Sequence, residues 1–271
     1  VSNWVMERPG SERGWPRAFY RGQVRALGWG LRNIVNGAVI TPDSHPLKPV
    51  LRAAVDQALR SLYERLSPLS PLGVVATGPG PGTAIVYGPS STPAPGDAGR
   101  TGFAPWMDDF VTWAIGSAVE RGFTAPELLA WKTRAVLGRL GVDSGFCWNR
   151  ASGYALSLMA TEDSPRYSSW SELFAANFPG DGPCPAAGAR MAGGDRSATD
   201  YGAYIAAALT AADAGALPGA DRAWQIYEQR DVAHWSRGFD VAPEWAITRR
   251  NRDFDGSSLF SGPGAGPRAR P

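Results

Sequence analysis

The chain has 271 residues, enough for one large domain or two small ones, and 44% of them are hydrophobic. This share supports a sizeable core and excludes a disordered chain, while the lack of any run of about 18 apolar residues argues against a membrane-spanning helix. The 27 basic and 25 acidic residues give a net charge of +2, which predicts no strong attraction to nucleic acid or to an anionic membrane.

The start of the chain carries several arginines and no apolar stretch that would suit a signal peptide. We interpret residues 1–16 as a truncated lead-in, either to a fragment of a longer protein or behind a removed leader, and we favour the fragment. One helical domain is expected over residues 17–250. A tail rich in glycine, proline and arginine is expected over residues 251–271.

Apolar residues recur at spacings of three and four in two neighbouring stretches, which predicts a helical hairpin formed by residues 17–40 and 47–66. The turn between them contains proline, aspartate and serine, and Asp43 has the chemistry of an N-cap. Residues 67–104 are rich in proline and glycine and predict a long excursion. A small β-hairpin is expected within this excursion because two short β-like runs occur there.

Two further helical hairpins are predicted, from residues 105–121 with 125–140 and from residues 198–214 with 220–234. Between these pairs we expect one helix over residues 151–161 and a short one over residues 168–178. The fold class predicted is therefore all-α, built from helical hairpins with long connections.

The chain has two cysteines, Cys147 and Cys184, and two histidines, His45 and His234. The sequence leaves open whether the cysteines form a disulfide or two buried thiols. Their spacing from the histidines does not match a zinc site, so no metal is expected.

Three stretches carry a resemblance to a known class of fold. They are residues 21–32 (RGQVRALGWGLR) with 41–48 (TPDSHPLK), residues 105–110 (PWMDDF) with Trp113, and residues 145–148 (GFCW) before Tyr154. Together they resemble bacterial and phage proteins of the α/α-toroid, or six-hairpin glycosidase-like, type. The resemblance implies that residues 17–250 form part of such a toroid, and the three hairpins correspond to its C-terminal half.

Two adjacent carboxylates, Asp108 and Asp109, fall in the first turn of a predicted helix. The helix dipole favours negative charge there, so a purely structural role is one interpretation. In the other, one of them acts in a pocket as general acid or base. Adjacent helical residues point about 100° apart, so these two do not easily form the facing pair that glycoside hydrolysis requires. The candidates for a second carboxylate are Asp43, Glu162, Asp163 and Asp200.

A second hypothesis places a lyase base in the turn after the first helix. A neutral imidazole or a tyrosine can abstract the proton beside a uronate carboxyl, and His45 or Tyr154 would serve, with Arg32 neutralising the carboxylate. Asp43 lies beside His45 in this turn. Arg25 and Arg32 share a helix face, and a solvated face is the alternative for both.

Eleven tryptophans are present, and several fall in the stretches that carry the resemblance. Flat aromatic rings stack on the apolar faces of sugars, so we predict substrate contacts for Trp29, Trp106 and Trp148, although such rings also fill the space between helices. The sequence thus predicts a carbohydrate-active protein, as a polysaccharide hydrolase or lyase or part of one. The alternative is a non-catalytic glycan-binding or structural module of a phage or surface protein.

No cofactor, nucleic-acid partner or membrane span is expected. We predict a location outside the cytoplasm, or on a cell or virion surface, only because the expected substrate is a polymer.

Overall fold

The computed structural model describes residues 24–75, 102–153, 155–161, 164–191, 201–230, 247 and 249. The α-helices within these residues are α1 (Val24–Ile40), α2 (Lys48–Leu66), α3 (Pro105–Glu120), α4 (Pro126–Arg139), α5 (Trp170–Asn177), α6 (Tyr201–Ala214) and α7 (Ala220–Glu228). Two short strands, β1 (Gly102–Phe103) and β2 (Leu156–Ser157), form one antiparallel ladder. The described part of the chain is mostly helical, which confirms the all-α class.

Helices are present at all six positions predicted for the three hairpins, and consecutive helices of each pair are in contact. Pro126 begins α4 and Pro105 begins α3, where proline's missing N–H costs nothing. The predicted start of the first helix at residue 17 and the predicted end of the last one at residue 234 lie outside the described residues.

Helix α3 lies at the centre of the fold, between α1 and α6. Glycines allow both crossings to be close: a Cβ at Gly28 of α1 would lie 2.5 Å from Cδ1 of Phe110, and a Cβ at Gly116 would lie 2.3 Å from Cβ of Ala211. Buried aliphatic side chains of α1 to α4 form the largest core cluster, and a second cluster joins α4, α6 and α7. Because α3 packs against both α1 and α6, side chains that are distant in sequence lie close together at these two crossings.

The helix predicted over residues 151–161 is wrong for the residues described there. A 3-10 turn, Trp148–Arg150, is followed by β2, whose Leu156 and Ser157 pair with Phe103 and Gly102. The side chain of Asn177 accepts from Ser157 N at 2.8 Å and donates to Ser157 O at 2.9 Å. These tertiary hydrogen bonds stabilise an extended backbone in a segment whose own pattern is ambiguous.

The small sheet also differs from the predicted hairpin, because it joins residues more than fifty positions apart. Of the β-like runs predicted inside residues 67–104, Val74 and Val75 are buried but not in a strand, and the remainder lies outside the described residues. A disulfide between Cys147 and Cys184 settles the alternative that the sequence left open. No helix of the described residues is long and apolar enough to cross a membrane.

Candidate functional site

Helix α3 carries two sets of side chains of different chemistry. Trp106, Phe110 and Trp113 follow a spacing of four and three residues, so they lie on one side of the helix. Asp108 lies on another side, whereas Asp109, three residues after Trp106 and four before Trp113, borders the aromatic side, and both carboxylates are buried. Among the described residues, these two sets are the starting points of the two candidate sites.

The first candidate is a continuous aromatic–arginine row across three helices. Its members are Arg25, Trp29 and Arg32 of α1, Trp106, Phe110 and Trp113 of α3, and Tyr201 and Tyr204 of α6. The structure therefore brings together Trp29, Arg32 and Trp106, three residues that the sequence nominated for substrate contact.

Each ring of the row contacts the next. Trp106 stacks on Tyr201 with centroids 5.4 Å apart and planes inclined by 23°, and it lies 5.5 Å from Tyr204. Phe110 lies 5.3 Å from Trp29 and 5.5 Å from Trp113. Mutual packing of this kind fixes the ring orientations, so the row presents a preorganised surface.

The exposed part of the row lies on α1. Trp29 is 49% exposed, whereas most large apolar side chains of the described residues are buried. The guanidinium of Arg32 lies 5.4 Å from the Trp29 centroid and 5.2 Å from the Trp113 centroid, and that of Arg25 lies 5.8 Å from Trp106. Cation–π contacts of this length hold a charged group beside exposed aromatic surface.

The second candidate is a buried charge cluster of Asp108, Asp109, Lys132 and Arg139, each with no exposed surface. Lys132 Nζ lies 2.5 Å from Asp108 Oδ2, and Asp108 Oδ1 accepts a hydrogen bond from Val75 N at 2.8 Å. Burial lowers the pKa of Lys132, and the neighbouring Asp108 opposes that effect. The pair joins α3 to α4 and fixes the backbone near residue 75.

Asp109 is the less satisfied of the two carboxylates. Its Oδ1 accepts from the guanidinium of Arg139, while Oδ2 has no hydrogen-bond partner among the described residues. Burial raises the pKa of Asp109 to about 6, because the loss of hydration outweighs the attraction of Arg139. Arg139 also donates from Nε to Ala135 O at 3.0 Å and from its terminal nitrogen to Ala151 O. The cluster is thus nearly self-contained.

The residues proposed for a lyase do not form a common site in the described part of the chain. His45 is exposed in the turn between α1 and α2, where its Nδ1 accepts from Leu47 N at 3.1 Å. Asp43 is also exposed, and it pairs with Lys48 at 3.2 Å. The predicted N-cap role of Asp43 is wrong, since Leu47 occupies that position of α2 and makes no side-chain cap. Tyr154 lies outside the described residues.

Of the remaining nominated residues, one is buried in the core and three lie outside the described residues. Trp148 is buried beside the disulfide, and its Nε1 donates to Pro185 O at 3.3 Å, so it belongs to the core and not to the aromatic–arginine row. Glu162, Asp163 and Asp200, the candidates for a second carboxylate, lie outside the described residues. Within the described ranges, no group of three His, Cys, Asp or Glu side chains could hold a metal ion.

Sequence reasoning missed four members of the two sites that had recognisable signals. Tyr201 and Tyr204 are one helical turn apart, so they share a face. Lys132 is one of only two lysines in an arginine-rich chain, and Arg139 follows it seven residues later on the same helix face.

Fold and site together define an all-α protein with a buried charge cluster and a partly exposed aromatic–arginine row. Comparison with family models, curated proteins and solved structures finds no match to this chain.

Proposed function

We propose that this chain binds a glycan through the aromatic–arginine row and acts as a non-catalytic module. The observation that carries the proposal is the half-exposed Trp29, held in a row of packed rings and flanked by Arg32. Sugars present apolar C–H faces to flat aromatic rings and hydroxyl groups to neighbouring polar side chains. An exposed indole in a fixed orientation supplies the first of these contacts at small entropic cost.

Two further observations support this proposal. The disulfide between Cys147 and Cys184 is typical of proteins that work in an oxidising compartment, where extracellular polysaccharides are encountered. The described helical hairpins are compatible with part of an α/α toroid, and we include that arrangement, with a bacterial glycan as ligand, in the proposal.

Binding is favoured over catalysis because the two nominated carboxylates are occupied. Asp108 is engaged by Lys132 and by Val75 N, and Asp109 is engaged by Arg139, all without exposed surface. A catalytic pair would face a sugar from both sides across about 5–9 Å. Asp108 and Asp109 instead have their own cationic partners.

A hydrolase or lyase is the second candidate function, and one observation favours it. The raised pKa of Asp109, about 6, and its unpartnered Oδ2 are properties of a general acid. Asp109 would have to reach a substrate from a fully buried position, so this candidate ranks second.

Binding is tested by affinity electrophoresis and calorimetry of the chain against neutral and acidic polysaccharides, with the variants Trp29→Ala and Tyr63→Ala. Tyr63 is the matched control, because it is an exposed aromatic residue on α2 and is not a member of the row. We expect Trp29→Ala to weaken binding at least tenfold and Tyr63→Ala to leave it unchanged. Equal binding by both variants, or no binding by the unmodified chain, would overturn the proposal.

Catalysis is tested in the same samples by following new reducing ends and the ultraviolet absorbance of unsaturated uronates. We expect neither signal. Depolymerisation that is lost in a folded Asp109→Asn variant would establish the second candidate, and absorbance that is lost in His45→Ala would establish a lyase.

A further inference from the structure

We infer that the ligand of the aromatic–arginine row is an acidic polysaccharide, whose carboxylates bind Arg25 and Arg32 while its sugar rings stack on Trp29. This inference deepens the proposed function and rests on it.

The guanidinium groups of Arg25 and Arg32 lie against aromatic rings. Arg32 lies between two indole rings, with centroid distances of 5.4 Å to Trp29 and 5.2 Å to Trp113, and Arg25 lies 5.8 Å from Trp106. A guanidinium that contacts an aromatic face retains N–H donors at its edge, and two of these match the two oxygens of a carboxylate. The rings therefore restrict the motion of each arginine without using all its donors.

Helix α1 has two arginines and no acidic residue. In the part of the chain that the structure describes, no carboxylate forms an ion pair with Arg25 or Arg32. By contrast, Lys132, Arg139 and Arg150 each have an aspartate partner. Two cations on one helix face, with no counter-ion among the described residues, favour an anionic ligand.

Arg25 and Arg32 are seven residues apart, so their Cα atoms are separated by about 10.5 Å along the helix axis. One carboxylate cannot engage both side chains in the same bidentate manner over such a length. A polymer with charges on separate sugars can do so, and Trp29, which lies between the two arginines on the same face, would contact the sugars between those charges.

Nucleic acid offers the same combination of flat groups and negative charge, and the net charge decides between the two ligands. Binding to a phosphate backbone depends on the neutralisation of several closely spaced phosphates. The row has two arginines, and the chain has a net charge of only +2. Widely spaced carboxylates fit this arrangement better.

The experiment compares polysaccharides that differ only in charge. The probes are polygalacturonate, alginate and hyaluronate, each paired with its carboxyl-reduced form, together with a single-stranded oligothymidylate. The proteins are the unmodified chain, Arg25→Gln/Arg32→Gln, and the control Arg52→Gln. Arg52 is an exposed arginine of α2 that lies 4.9 Å from the ring of Phe123, so the control removes a similar contact at a different place.

We expect at least one acidic polymer to bind at least tenfold more tightly than its reduced form, and binding to weaken as salt is added. The Arg25→Gln/Arg32→Gln variant should lose this tenfold preference and keep the weaker binding to the reduced form, whereas Arg52→Gln should behave as the unmodified chain. A preference that survives in the double variant would overturn the inference.

The remaining outcomes separate the two proposals. Equal binding to acidic and reduced polymers, lost in Trp29→Ala, would overturn the inference and leave the proposed function standing. Tighter binding of oligothymidylate than of every polysaccharide would overturn both and would identify a single-stranded nucleic-acid site. No binding to any probe would also overturn both.

Discussion

The buried charge cluster and the aromatic–arginine row use similar charged groups in opposite ways. In the cluster, Asp108 and Asp109 are paired with Lys132 and Arg139, and none of the four has exposed surface. In the row, Arg25 is exposed, its guanidinium lies 5.8 Å from the Trp106 ring centroid, and no carboxylate of the described residues forms an ion pair with it. Solvent access explains the difference, because a buried charge requires a counter-ion and a hydrated one does not.

This comparison separates stability from recognition. A buried ion pair gives little net stabilisation relative to an apolar pair, but the loss of one partner leaves an uncompensated charge in the core. Arg25 is exposed and Arg32 is partly exposed, so their charges do not require a buried counter-ion, and we expect them to be available for a ligand. We therefore expect substitutions in the buried charge cluster to affect the free energy of unfolding and substitutions in the row to affect binding.

The largest effect is expected for Lys132→Met, which leaves Asp108 charged and buried. The free energy of unfolding should fall by about 3–5 kcal/mol, as measured by urea denaturation. Lys48→Met is the matched control, since the other lysine bonds Val39 O and Thr41 O near the surface and should cost about 1 kcal/mol. Similar losses for the two variants would contradict the special cost of the buried pair.

The next effect concerns pH and Asp109. Its pKa rises from an ordinary 3.8 to about 6 in the folded chain. Between these values the folded state keeps a proton that the unfolded state releases, so this carboxyl makes the chain less stable as pH rises from about 4 to 6 and contributes no further change above that range.

The magnitude of this pH effect follows from the shift, which corresponds to about 3 kcal/mol. Other carboxylates, including Glu172 and Asp181 with lowered pKa values, act in the opposite direction. The measurement is therefore the difference in unfolding free energy between the unmodified chain and Asp109→Asn across pH 4–7. That difference should change by about this amount, in favour of the variant as pH rises. A constant difference would show that Asp109 is ionised over the whole range.

The sequence predicts the two sites only in part, and the reason is the range of the interactions. Apolar periodicity is local, so it predicted the hairpins. Side-chain chemistry nominated the site residues: Trp29 and Trp106 as rings that can stack on sugars, and Arg32 as a cation that can neutralise a carboxylate. Asp108 and Asp109 were nominated as carboxylates in a first helical turn. The partners of those carboxylates depend on the way in which α3 and α4 pack, which no local pattern records.

The dependence on long-range packing also explains the other positions that the sequence did not predict correctly. Tyr201 joins the row only because α6 packs against α3 from almost a hundred residues away. The helix predicted over residues 151–161 failed because β1 and Asn177 supply hydrogen bonds from other parts of the chain. Long-range contacts, not intrinsic propensity, decide these positions.

A third prediction concerns the crossing that places Tyr201 and Tyr204 beside Trp106. Gly116→Ala would place a Cβ 2.3 Å from Cβ of Ala211, so α6 must move and the free energy of unfolding should fall by about 1–3 kcal/mol. Gly37→Ala on α1 is the control, because no atom lies within 4 Å of its added Cβ, and it should stabilise the chain by about 0.5–1 kcal/mol. Thermal unfolding measures both, and a stabilised Gly116→Ala would contradict the close crossing.

The smallest effect is expected for Arg25→Gln, which removes an exposed guanidinium from the row. Its cation–π contact with Trp106 spans 5.8 Å, and exposed contacts of this kind contribute about 0.5–1 kcal/mol at most. Because glutamine retains part of the packing, the free energy of unfolding should change by less than about 0.5 kcal/mol. Arg139→Gln removes the same group from the buried charge cluster and should cost about 3–5 kcal/mol. Urea denaturation of both variants measures the contrast directly, and comparable losses would mean that Arg25 is a structural residue whose charge is not available to a ligand.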